Sequence, residues 1–65
     1  IMIAKFSTST KVINHVLEEE RKEGAELVVE FQENGITTVY GNAQAIMFFI
    51  GRIASYGEDG LINAY

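Results

Sequence analysis

Among the 65 residues of the chain, the side chains able to do chemistry are few and scattered. The single histidine, His15, has Glu19 one helical turn ahead and Lys11 one turn behind. With no cysteine and no converging carboxylates beside it, this imidazole forms neither a metal site nor a nucleophile–base pair, and it reads as a surface residue. The run Ser7-Thr8-Ser9-Thr10 supplies hydroxyls, yet neither a G-x-x-x-x-G-K-S/T loop nor a G-x-S-x-G elbow surrounds it, so these residues read as helix caps. Glycines at 24, 35, 41, 51, 57 and 60 are too dispersed to cradle a phosphate. Gly51 alone falls inside a helix, where glycine costs roughly 0.5–1 kcal/mol relative to alanine. No catalytic residue, metal site or cofactor is assigned, and the chain is read as a non-enzyme.

What remains is charge and exposed apolar surface. Glu18, Glu19, Glu20, Glu23 and Glu26 crowd the end of one helix and the segment after it. Glu18 stands four residues before Lys22 as an ordinary helical pair, whereas Glu19 and Glu23 are like charges one turn apart. Three acids in a row near a helix C-terminus also oppose the macrodipole. Local stability is given up there, which suits an acidic patch that docks on a basic partner surface. In the second helix Phe48 lies roughly 170–180° from the stripe of Ala43, Ile46, Ile50 and Ile53, at about 100° per residue, and is expected to be exposed. Arg52 follows it by one turn, within reach of a cation–π contact. Phe48 and Arg52 therefore join the five glutamates as the expected partner-binding set.

Composition narrows the class. At 7.2 kDa and 48% hydrophobic the chain is one small domain over residues 1–65, near the lower size limit for folding without staples. So small a fold leaves little material for a deep cleft. The absence of cysteine, together with an N-terminus that lacks a basic region, an apolar stretch and a small-residue cleavage site, sets a cytoplasmic, intracellular protein as the expectation. Five Lys and Arg against nine Asp and Glu give a net charge of −4, the opposite of the basic footprint that grips phosphate backbones. Direct nucleic-acid binding is not expected. Nor is membrane insertion, since the longest apolar stretch, Ala43 to Tyr56, is broken by Gln44, Gly51 and Arg52 and falls short of about 20 residues.

The elements that must position these residues follow from periodicity. Met2 to Phe6 reads as a strand. From Thr10 to Glu23, Val12, Ile13, Val16 and Leu17 recur at helical spacing, and Gly24 ends the helix. Ala25 to Gln32 alternates, and Asn34-Gly35 then predicts a two-residue type I′ hairpin into a return strand, Ile36 to Tyr40. That turn sets Phe31 opposite Thr38 and Val29 opposite Tyr40 on the inner face, with Glu30 opposite Val39 on the outer face. Asn42 caps a second helix running to about Tyr56, the segment Gly57 to Gly60 is a turn, and Leu61 to Tyr65 is a final strand.

The order β-α-β-β-α-β resembles the ferredoxin-like plan over the whole chain, an α+β sandwich with two helices on one face of a four-stranded antiparallel sheet. RNA-binding domains of this topology stack bases on aromatic residues of the central strands, but the predicted outer positions Ile3, Lys5, Thr37 and Val39 carry none. Ile3, Val28 and Val39 instead make that face apolar enough to predict a homodimer. Ligand-sensing domains of the ACT type share this architecture, as do metallochaperones, whose M-x-C-x-x-C loop is missing here. A small, acidic, cysteine-free chain is also similar to phage-encoded inhibitors of host defence or nucleic-acid enzymes, in which carboxylates occupy a site meant for phosphates. The functional expectation is a protein-binding module acting stoichiometrically as a regulator or inhibitor of a larger protein; the alternative is a dimeric ACT-like regulatory domain.

Overall fold

A computed structural model describes residues 1–57 and 60–65. Part of the turn expected over Gly57 to Gly60 thus lies outside the described residues. The elements are β1 (Met2–Phe6), α1 (Thr10–Lys22), β2 (Val28–Phe31), β3 (Thr37–Gly41), α2 (Ala43–Ser55) and β4 (Leu61–Ala64). The strands form one antiparallel sheet in the order β2-β3-β1-β4, an α+β arrangement compatible with the ferredoxin-like plan. Among the described residues, no helix is long and apolar enough to cross a membrane.

Local chemistry sets the helix ends. The Ser9 hydroxyl accepts from the Val12 amide at 3.4 Å, and Asn42 Oδ1 accepts from the Ala45 amide at 2.8 Å, each satisfying an amide left over in the first turn. Gly24, at φ 91°, terminates α1 in the left-handed region that favours glycine.

The hairpin differs from the sequence expectation by one residue. Gln32 pairs with Ile36 across a three-residue loop, Glu33 to Gly35, and the Gly35 amide donates back to the Gln32 carbonyl at 3.2 Å. Gly35 has φ 82° but Asn34 does not have positive φ, so the turn is type I followed by a left-handed glycine, not type I′. Asn34 Oδ1 accepts from the Ile36 amide at 3.0 Å and stabilises this alternative. Phe31 therefore faces Thr37, Val29 faces Val39, Glu30 faces Thr38 and Val28 faces Tyr40.

That shift turns β3 over, because side chains alternate between faces. Val39, expected on the outer face beside Ile3 and Val28, is fully buried in the core with Ala4, and Thr37 is buried with Phe6. Tyr40 takes the outer position instead, so the open face of the sheet does carry an aromatic side chain on a central strand.

The core lies between sheet and helices and is built from Ala4, Phe6, Ile13, Val16, Leu17, Leu27, Val39, Ile46, Phe49 and Ile53. Phe6 of β1 and Phe49 of α2 meet edge to face, centroids 5.4 Å apart. The buried stripe of α2 is Ala45, Ile46, Phe49 and Ile53, rotated by roughly 60° from the one expected. Ala43 and Ala54 lie outside it, exposed, and Ile50 is half-buried. Gly41 is required by packing: a methyl group there would come within 2.8 Å of Leu27 Cδ2 and 3.1 Å of the Glu26 carbonyl.

Candidate functional site

Helices α1 and α2 bring together a network of polar side chains. On α1, Ile13, Val16, Leu17 and Glu20 occupy one stripe at i, i+3, i+4, i+7, so Glu20 is carried into the interface with α2 and is 5% exposed. A buried carboxylate needs a cation. Arg52 of α2 supplies it: Nε donates to Glu20 Oε1 at 2.7 Å, Nη2 to Glu23 Oε2 at 2.6 Å and Nη1 to Glu19 Oε2 at 3.4 Å. The planar fork of a guanidinium has enough donors for three carboxylates, which an ammonium could not bind in one plane. Hydrogen bonding to Glu20 above all, with the charges of Glu23, Glu20 and Glu19, raises the Arg52 pKa further and keeps the group charged.

A second set of bonds extends this seam. Tyr56, at the C-terminal cap of α2, donates its hydroxyl to Glu19 Oε1 at 2.5 Å, and His15 Nε2 lies 3.1 Å from the same hydroxyl. The imidazole meets the Tyr56 ring edge to face at 5.4 Å. The bond from Tyr56 is the main reason the Glu19 carboxyl is held below its ordinary range, with His15 and Arg52 acting in the same direction. Conversely, Glu19 pushes the Tyr56 phenol up. A phenol so raised keeps its proton and remains a hydrogen-bond donor, so that His15, Tyr56, Glu19 and Arg52 tie the two helices together.

The five glutamates thus separate into three groups. Glu19, Glu20 and Glu23 converge on Arg52; Glu18 lies on another side of α1, beside Lys11, Asn14 and His15; Glu26 belongs to the loop before β2. Among the described residues Glu18 and Lys22 do not form the expected ion pair. The Arg52 guanidinium occupies the space between its carboxylates, and among the described residues no three His, Asp or Glu side chains are placed to hold a metal ion.

Phe48 is exposed, 60% of its surface open to solvent, and Met47 beside it is 64% exposed. Arg52 is fully engaged with α1 and makes no cation–π contact with Phe48; among the described residues the cation over a ring is Lys5, 6.0 Å from the Tyr65 centroid. A methyl group at Gly51 would meet nothing within 4 Å, so close approach within the molecule does not explain this helix-interior glycine. Phe48, Met47, Gly51 and Arg52 border an open groove of about 780 Å³ whose other wall includes Glu20 and Glu23 at the end of α1. Two large apolar side chains, a gap left by glycine and a charged wall thus share one concave surface.

Sequence reasoning missed Tyr56, and it missed Glu20 as a buried group. The signal for Glu20 was present in the continuation of the 13-16-17 stripe to position 20. Nothing in the spacing pointed to Tyr56, which meets His15 across 41 residues of chain. No protein-family model, curated protein or solved structure matches the chain, so the functional reading rests on this geometry.

Proposed function

We propose that the protein is a non-enzymatic binding module that holds a larger intracellular protein stoichiometrically, as its regulator or inhibitor, through the outer face of α2. The observation that carries this reading is the adjacent exposure of Met47 and Phe48 next to Gly51. Aromatic and methionine side chains are the residues that fill partner pockets, and a helix-interior glycine with no internal neighbour lets a partner backbone come close. The partner is expected to offer an apolar pocket with a basic rim, because Glu23 remains largely exposed at the edge of the groove while three carboxylates share one guanidinium. This differs from phosphate mimicry by an inhibitor of a nucleic-acid enzyme: carboxylates bound to Arg52 are not free to occupy a phosphate site, so apolar contact dominates.

Affinity capture from the native host with wild-type protein, Phe48→Ala, Gly51→Leu and Glu18→Gln tests the reading. A protein retained by wild type and by Glu18→Gln but lost from both α2 variants supports it. Retention by all four, or capture of nothing by the wild type, rejects it. A second reading, a dimeric regulatory domain of ACT-like architecture, draws on a different surface, the open face of the sheet.

A further inference from the structure

The open face of the sheet is built in transverse rows. Strand pairing places Val28, Tyr40, Ile3 and Tyr65 side by side across β2, β3, β1 and the end of β4. The next row is Glu30, Thr38, Lys5 and Asn63. Reflected about β3, the first row sets an aliphatic residue against an aliphatic one, Val28 against Ile3, and the second sets opposite charges against each other, Glu30 against Lys5. Thr38, between those charges, is buried, and its hydroxyl has no hydrogen-bond partner.

We infer that this face pairs with a second copy of the chain about a two-fold axis running along β3, each Glu30 meeting the other copy's Lys5. Such an axis keeps each row in place and exchanges β2 with β1. Val28 then packs on Ile3 of the other copy, Tyr40 on its own equivalent, and two symmetric ion pairs close the interface, as an isologous contact requires. A face that opposed like charges under this rotation would repel its copy; here the rotation matches them. Strands about 4.8 Å apart and ladders of about five residues make the face small, so the buried area falls below the roughly 1,200 Å² of strong complexes. The dimer is consequently weak and exchanges rapidly. This inference uses none of the α2 surface and stands or falls apart from it.

Sedimentation equilibrium up to roughly 1 mM, the range of affinity expected of so small an interface, provides the test. Wild type should show a monomer–dimer equilibrium. Lys5→Glu and Glu30→Lys each oppose like charges and should weaken association about tenfold or more, while the double variant Lys5→Glu/Glu30→Lys should restore it to within about threefold. Circular dichroism at low concentration checks that each variant keeps the monomer fold. A wild type that stays monomeric overturns the proposal, as does a dimer indifferent to both single reversals. So does a dimer abolished only by Asn63→Pro, which would pair through the β4 edge, and a monomer whose Tyr40 resonances shift on adding single-stranded oligonucleotide, which would make the face a nucleic-acid platform.

Discussion

Phe48 and Phe49 are neighbours in the chain and opposites in the fold. Phe49 is fully buried against Phe6, whereas Phe48 stands out from the same helix turn with most of its ring in water. The inner face of α2 is explained by the molecule itself: each large side chain there has a partner on the sheet or on α1. The outer face is not. Met47, Phe48 and Gly51 together give up solubility and helix propensity without any return inside the monomer, and such departures from local consistency concentrate where a protein meets something else.

The difference between the two faces can be broken by substitution. Phe49→Ala should have the largest effect, a loss of about 3–5 kcal/mol, enough to unfold most of a domain of this size; a shallow loss in chemical denaturation would mean that the core does not depend on this ring. Gly51→Ala comes next and has the opposite sign, a gain of about 0.5–1 kcal/mol, because the added methyl meets open space on a helix. No gain in melting temperature would show that the glycine relieves some strain in α2. Phe48→Ala should change stability by no more than about 0.5 kcal/mol, and a loss comparable to that of Phe49→Ala would place the ring in the core.

The smallest effect at neutral pH concerns the seam between the helices. Glu19 has a lowered pKa, so its contribution is present above its ordinary value of 4.5 and is lost as pH falls through the lower folded value. Tyr56 has a raised pKa, so its contribution is present below the ordinary value of 10.0 and is lost as pH rises through the higher folded value. Tyr56→Phe removes their shared bond. Its melting temperature should accordingly fall less steeply than that of wild type at both the acid and the alkaline ends, and parallel curves would show that the bond carries no coupling.

The order of elements was legible because each has a clean local signature: alternation in β2, caps at Ser9 and Asn42, glycine after α1. The hairpin register was not, for a specific reason. Asn34-Gly35 occupies the two central positions of a type I′ turn, but equally the last two of a three-residue loop. The return strand could not decide between them either, since Ile36, Thr38 and Tyr40 look more apolar than Thr37, Val39 and Gly41, although the second set faces the core. What settles the matter is packing at a distance: Leu27 fills the space above Gly41, and Val39 lies against Ala4. The stripe of α2 was ambiguous in the same way, because apolar residues surround much of that helix and only contact with Phe6 selects Phe49. In the candidate site the exposure of Phe48 followed from its angle on the helix. The gathering of glutamates on Arg52 did not, because it joins residues about thirty positions apart, and no local pattern encodes such a meeting.

The place of β1 in the sheet also bears on how the chain comes to be folded. β1 is an inner strand whose two neighbours, β3 and β4, both come later in the chain, and 54 residues separate Phe6 from its partner Leu61. Closing so long a loop costs about 2.5 kcal/mol more in chain entropy than closing the three-residue β2–β3 hairpin. The hairpin and both helices precede Leu61–Ala64 in the chain, and until that last strand docks β1 has one unpaired edge, bearing the backbone groups of Ile3 that bond to Tyr65. Completion of the sheet is thereby deferred until β4 docks, and in that interval β1, an inner strand of the finished sheet, presents an edge open to mispairing with other chains.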